Sequence, residues 1–402
     1  MMPPNILWIV TTQWRAQATG YAGDLNARTP WLDGLADEAV NYTQAVTPHP
    51  LGPHARASLL TGKLCPESGV CDYWDPLPEK IRTIAHALSD RNYATAFFGK
   101  WHLAERDRQA PFVGEAHAKM IVDPARRGGF AMWEGFESGF LLNDPWLHGT
   151  RLAQPRRFKG YQAEVLARRA ADWLKQPRVQ PVFCVVSLES PHPPYHAPTP
   201  YVTAGSPDEI KLRGNVPLGN ETELKARGEL AGYYAHIEAT DRAIGTLLAG
   251  IDLKETTVVF TSVHGDMHGS HGHFRKAWPH EESVRVPLLI KRPRVPSGVD
   301  ASPVSLVDLP HMTLAWAEGR EWHCKRDSAV ISMPTAVEIP LQCPYAWRGF
   351  RTPRHKFILR TEADGTEKPW VYFDLERDPL ELRNLATDPA QTAEIKRLQA
   401  LL

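Results

Sequence analysis

The run Ile6-Leu7-Trp8-Ile9-Val10 is apolar without alternation, so it must bury both of its faces, and such a strand belongs inside a sheet covered on two sides. Similar runs return at 94–98, 182–187, 257–261 and 287–290, with helical patterns between them at 30–38, 83–89, 162–174 and 230–248. Strands alternating with helices predict an α/β fold with a mostly parallel central sheet flanked by helices on both faces. In such folds the functional residues collect beyond the carboxyl ends of the strands. Those ends read Thr11-Thr12-Gln13, Gly99-Lys100-Trp101-His102, Ser190-Pro191-His192 and Ser262-Val263-His264; all four carry polar side chains and three contain histidine.

Beyond 300 the texture changes to shorter β-like pieces at 345–351, 356–360 and 370–375, then a helical tail at 393–402. This predicts a small antiparallel sheet with one helix. The expected organisation is a large domain over 1–300 and a smaller α+β subdomain over 301–402. The stretch 107–158, rich in Gly, Pro, Arg and Trp, is too long for a plain connection and reads as a loop-like insertion, a lid or a partner-facing segment.

A chain of 402 residues, 43% hydrophobic and 23% charged, has the makeup of a globular protein rather than a disordered one. Lys+Arg 46 balance Asp+Glu 46, so no global field draws it to nucleic acid or an anionic membrane, and any preference for anions must be local. Met1 to Pro4 lead straight into the first apolar run with no basic start, and no apolar stretch has the length of a membrane span, which predicts a soluble, cytoplasmic protein. The five cysteines are scattered and form no CxxC pair, so reduced thiols are expected, with Cys184 a small buried hydrophobe in a strand.

Several segments follow one family's order and spacing. They are Asn5-Ile6-Leu7 with Thr11-Thr12-Gln13, Thr29-Pro30-Trp31-Leu32-Asp33, Arg56 to Gly62, and Gly99-Lys100-Trp101-His102-Leu103. Pro191-His192-Pro193-Pro194, Thr261 to Lys276 with Glu282 to Pro287, and the tail from Tyr372 to Leu385 continue the series. Together they resemble the sulfatase family of the alkaline phosphatase superfamily over nearly the whole chain. The resemblance implies that Arg56, Lys100, His102, His192 and Lys276 stand where the family binds sulfate oxygens, steers the nucleophile or protonates the leaving group.

The same comparison implies losses. The family's C/S-x-P-x-R motif carries the Cys or Ser that becomes the formylglycine nucleophile, and four residues before Arg56 stands Gly52, with no Cys or Ser between Tyr42 and Arg56. Thr12 and Val263 replace two metal-binding aspartates, leaving His264 with Gln13 nearby, a poor set for a hard divalent cation. No cofactor and no metal are therefore expected. Crowded cations are costly to bury unless an anion or a carboxylate compensates them, so the retained cluster predicts an anion pocket in which Arg56, Thr12, Gln13 and His264 hold the ligand. Lys100, His102, His192 and Lys276 are the acid/base candidates.

Two histidine groups stand apart. His264, His268, His271 and His273 with Asp266 form a loop from which a soft-metal site could be built, though Gly265, Gly269 and Gly272 interrupt it and an ordinary family loop is preferred. His49 and His54 flank Gly52, either as new acid/base groups or, preferred, as loop residues. The expected function is an enzyme with a repurposed site acting on a small anionic substrate by Lys/His chemistry. The alternatives are a pseudoenzyme binding an anionic ligand or partner protein, and a hydrolase whose nucleophile comes from elsewhere, such as Thr12.

Overall fold

The structure is a computed structural model and describes residues 3–195, 202 and 205–402. Its large sheet draws on β1 (Asn5–Thr11), β2 (Val40–Tyr42), β3 (Ala94–Lys100), β4 (Met132–Phe136), β5 (Trp146–Gly149), β6 (Leu152–Arg157), β7 (Val182–Ser187), β8 (Thr256–Ser262), β9 (Leu288–Lys291) and β10 (Gly298–Asp300). The order across it is β10-β2-β9-β8-β1-β7-β3-β4-β5-β6. The central pairs β8–β1, β1–β7, β7–β3 and β3–β4 are parallel, while β9 and the β5–β6 ribbon pair antiparallel. The mostly parallel sheet expected from the strand–helix alternation is present.

Side-chain alternation explains why the central strands read as unbroken apolar runs. Leu7 and Ile9 of β1 enter one core with Ala96, Phe98, Cys184, Val186, Val258 and Phe260, while Ile6, Trp8 and Val10 enter the other with Phe97, Phe183, Val185 and Val259. Helices α1 (Pro30–Glu38), α5 (Gln162–Leu174) and α6 (Glu221–Leu248) cover the first face. Helices α2 (Gly52–Thr61), α3 (Ile84–Ser89) and α8 (Leu309–Ala317) cover the second. Two further helices are single turns, α4 (Glu115–Ala118) and α7 (Glu281–Val284).

Helix α6 starts at Glu221 rather than near 230, because Asn220 caps it by accepting from the Thr222 and Glu223 amides and acidic side chains sit in the first turn. The stretch 107–158 is not loop-like throughout. Its β4, β5 and β6 extend the large sheet, and their edge position, with β6 half exposed and arginine-rich, hid them from an apolar-run search.

The second sheet is antiparallel, β11 (Ala329–Met333), β12 (Trp347–Arg351), β13 (His355–Thr361) and β14 (Glu367–Asp374), with α9 (Thr392–Gln399) against one face through Ile395 and Leu398. Its other face packs on Val46, Leu51, Tyr73, Ala277 and Val284 from the first part of the chain. A buried ionic cluster pins the junction. Arg351 of β12 donates to both oxygens of Glu281 at 3.1 and 2.9 Å, and Lys356 of β13 reaches Glu281 at 2.8 Å and Glu381 at 2.6 Å.

The expectation of five thiols is corrected: Cys65 and Cys71 form a disulfide. A turn closed by Ser68 N donating to Leu64 O and Gly69 N to Pro66 O brings their Cα atoms to 5.4 Å, which sequence spacing alone does not reveal. Cys184, Cys324 and Cys343 are free. No helix among the described residues is long and apolar enough to cross a membrane.

One close approach positions the later loop of the site. A Cβ placed on Gly232 of α6 would lie 1.5 Å from the Tyr195 carbonyl oxygen, so this helix can pass the segment that follows His192 only as glycine. Gly232→Ala is expected to lower stability by about 3 kcal/mol, the upper end for overpacking, as read by urea denaturation.

Candidate functional site

The carboxyl ends of β1, β3, β7 and β8 bring the candidate residues together. Lys100, at the end of β3, donates to Glu189 Oε1 at 2.8 Å with both side chains fully buried, and the ammonium lies 4.5 Å from the Phe140 ring centroid. Burial lowers the Lys100 pKa to about 8 against the raising effect of Glu189. Arg56, on α2, donates to the Lys100 carbonyl at 3.0 Å, to Ser187 Oγ at 2.6 Å and to Thr12 Oγ1 at 2.8 Å. Burial brings its guanidinium down to about 10. Thr12 in turn donates to the Leu188 carbonyl at 3.0 Å. Arg56 and Thr12 thus brace the strand ends, with these donors spent on protein oxygens.

A second chain of contacts runs from Asp266 to His192. Asp266 accepts from Tyr195 at 2.6 Å, from the amides of His268 and Arg275, and from Gln13 Nε2. Despite burial, its neighbours His268 and Arg275 hold its carboxyl well below the usual range. Gln13 Oε1 accepts from Lys276 Nζ at 2.6 Å, and Lys276 Nζ stands 3.2 Å from His192 Nε2. His192 donates through Nδ1 to its neighbouring Pro193 carbonyl at 2.8 Å, which leaves Nε2 as the acceptor facing Lys276, and its ring stacks on Phe140 at 4.4 Å. Burial lowers Lys276 to about 7, and burial with the nearby lysines keeps His192 well below 6.5.

His102 approaches from the far side with Arg106 Nη1 at 2.7 Å from its Nε2. A Cβ on Gly52, the first residue of α2, would lie 2.8 Å from His102 Nδ1. The imidazole therefore occupies the space in which a side chain at position 52 would begin.

Above these groups opens a cavity of about 290 Å³. His102, His192 and Lys276 line it with Arg275 and Gln342, and its walls are largely apolar, with Tyr73, Phe112, Phe140 and Ile339 among them. Arg56, Lys100, Thr12, Gln13 and His264 do not line it. His49 and His54 are buried away from it, His49 held near about 3 by burial and then by His54. The histidine-dense loop does not converge: His268 packs on Tyr233, His273 stacks on Trp278 at 3.7 Å, and His271 meets Asn215. Among the described residues, the grouping with ligand atoms close enough for a metal is His271, Glu282 and Glu381, and Lys356 already occupies one oxygen of Glu381.

The metal implied by the family resemblance does not fit the donors present. Thr12 Oγ1 is engaged by Arg56, Gln13 Oε1 already accepts from a lysine, and Val263 is apolar core. His264 donates through Nδ1 to the Gly265 carbonyl and keeps a buried, unpartnered Nε2. One imidazole beside two cationic side chains is no substitute for the roughly six to eight oxygens a hard divalent cation takes.

Sequence reading missed the counter-charges. Glu189 neutralises Lys100, and Glu137, pushed up to about 7 by burial, faces Arg106 at 3.5 Å. Both are consequences of the rule that buried cations need partners, and Glu189 sits three residues before His192. The apolar walls contributed by Tyr73, Phe112, Phe140 and Ile339 carry no sequence signal, since they come from four separate loops.

The family model for sulfatases matches residues 4–319. An ulvan-active sulfatase of Formosa agariphila is 34% identical over 96% of this chain and 78% of its own length, and arylsulfatase K of Danio rerio 35% identical over 96% and 80%. A solved chain from the glycosaminoglycan metabolism of Bacteroides thetaiotaomicron superposes with a TM-score of 0.85 at 22% identity, over 98% of this chain and 94% of that one. The phosphonate monoester hydrolase of Agrobacterium radiobacter does so at 0.73 and 20% identity, over 99% and 95%. With the family model spanning the whole large sheet and both α2 and the Lys276 loop, this chain belongs to the sulfatase family.

Proposed function

We propose that this sulfatase-family chain is an enzyme acting on a small oxyanion-bearing substrate by lysine and histidine acid–base chemistry, without a formylglycine nucleophile and without a divalent metal. The observation that carries this reading is the 3.2 Å contact between Lys276 and His192 at the cavity wall, with burial holding Lys276 at about 7. A lysine poised there exchanges its proton near neutral pH. In its ammonium form Lys276 gives its proton to the leaving oxygen as the ester bond breaks, and neutral His192 takes through Nε2 the proton of the water molecule that attacks in its place. Among the described residues the cavity lining includes Lys276 and Arg275, the latter paired with Glu229 at 2.7 and 2.9 Å, and no carboxylate, which favours an anion over a cation. The activities named for the relatives, sulfate-ester and phosphonate-ester hydrolysis, point to the same substrate class.

The test is a panel of sulfate, phosphate and phosphonate esters screened for binding and for turnover with and without EDTA. Turnover that persists with the chelator is expected, and turnover abolished by it sinks the metal-free reading. Gly52→Cys is expected to gain no arylsulfatase activity, because the added Cβ meets His102 at 2.8 Å and the metal donors are still missing. Appreciable hydrolysis of an aryl sulfate by that single variant would contradict the formylglycine-free reading. One observation favours a second reading, binding without turnover: the His102 ring fills the space beside Gly52 that a nucleophile would need. Panel members that bind and are never converted select it.

A further inference from the structure

Arg106 does not itself line the cavity described above, yet it decides what His102 can do. A guanidinium carries only donors and stays charged, so the 2.7 Å contact between Arg106 Nη1 and His102 Nε2 requires Nε2 to be the acceptor. The imidazole proton must then sit on Nδ1. That atom is buried and has no partner among the described residues, and it lies 2.8 Å from where a Cβ on Gly52 would be.

We infer that Arg106 is a positioning residue that fixes His102 in its Nδ1–H tautomer, making His102 a dedicated hydrogen-bond donor toward an oxyanion in the cavity it lines and not an acid–base group. With its one lone pair held by Arg106, His102 has nowhere to accept a proton. With its neighbours cationic, it has little tendency to gain one: burial, then Arg106, Lys100 and Arg56, keep its pKa well below 6.5.

The arginine is itself held from several directions. Its Nη2 donates to the Tyr73 carbonyl, its Nε faces Glu137 Oε1 at 3.5 Å, and its guanidinium carbon lies 4.5 Å from the Tyr73 ring centroid and 5.1 Å from that of Trp74. Glu137 is fixed in turn by the Leu103 and Ala104 amides at 3.3 and 3.2 Å, the two residues that follow His102. The loop that presents the imidazole and the acid that steers its arginine are therefore one unit. A donor without a free lone pair suits an unprotonated oxygen, which sulfate offers on every corner.

This assignment rests on the oxyanion reading of the cavity, and the experiment separates the two. Histidine-selective ¹⁵N labelling with long-range ¹H–¹⁵N correlation reads the His102 tautomer directly, in the free protein and during titration with inorganic sulfate. The expected result is an Nδ1–H tautomer unchanged between about pH 5 and 8, with the Nδ1 proton moving downfield as sulfate binds. In Arg106→Met the Nε2–H form is expected to appear and sulfate affinity to fall about tenfold, in line with one lost charge-assisted contact. Arg106→Lys, which keeps a cationic donor, is expected to restore part of the Nδ1–H population. An Nε2–H tautomer in the wild type overturns the inference, as does an Nδ1–H tautomer that persists in Arg106→Met. If the tautomer and its dependence on Arg106 are as expected but sulfate leaves Nδ1 unmoved, the positioning role stands and the oxyanion role of His102 is overturned.

Discussion

Lys276→Ala is expected to cut turnover by about 10²- to 10⁴-fold, the range for one acid–base group, while changing substrate affinity far less. The asymmetry follows from its place: it reaches the reacting group through the cavity wall but shares the work of holding an anion with His102 and Arg275. The pH–rate profile carries the same signature. Lys276 acts as an ammonium, so activity falls as pH rises through its lowered value of about 7. His192 acts as a neutral imidazole with a pKa well below 6.5, so activity also falls in acid, where it protonates. The result is a bell on the acid side of neutrality, and in Lys276→Ala its alkaline limb should vanish. A variant that keeps full kcat, or an alkaline limb unmoved by the substitution, removes Lys276 from the chemistry.

Glu281→Gln is expected to cost about 3–5 kcal/mol of folding stability, the range for breaking a buried ion pair from one side. Glu281 takes three contacts from Arg351 and Lys356, both buried, and the neutral amide leaves Lys356 with Glu381 and takes the carboxylate from Arg351. Burial raises the Glu281 pKa, but Arg351 and Lys356 outweigh it, and the net position is well below 4.5. A carboxylate depressed on folding contributes its full stability above its unfolded value, roughly 4.3, and loses it as pH falls toward the folded value. Urea midpoints should therefore differ most at neutral pH, and the gap between wild type and variant should narrow in acid. A gap that stays constant with pH would assign the loss to packing instead of charge.

How far the fold could be read from sequence depended on burial. The limits of α1, α5 and β7 were legible to the residue, because each is bounded by a change of apolar periodicity. The polar first turns of α6 and the arginine-rich edge ribbon β5–β6 were not, because their stability comes from a cap and from strand pairing that an apolar pattern does not encode. The candidate site divides in a similar way. The family motifs name Lys100, His102, His192 and Lys276, but the partners they meet, Glu189, Arg106 and Gln13, are matters of distance. The crowding of cations suggested a missing anion, and for Lys100 the structure answers with the alternative, a buried carboxylate on the next strand's loop. Arg56, expected to grip the ligand, directs three contacts at protein oxygens. Nothing in a one-dimensional pattern separates a guanidinium that faces a cavity from one that ties strand ends together.

The cavity is built from two parts of the chain: His102, His192 and Lys276 come from loops of the large sheet, whereas Ile339, Pro340 and Gln342 belong to the segment between β11 and β12 of the small one. Any ligand that fills it touches both, and its binding free energy is then shared with the junction that Glu281, Arg351 and Lys356 hold closed. Occupancy and docking of the two sheets form one thermodynamic cycle. A ligand tightens the seam by the same factor that the seam tightens the ligand.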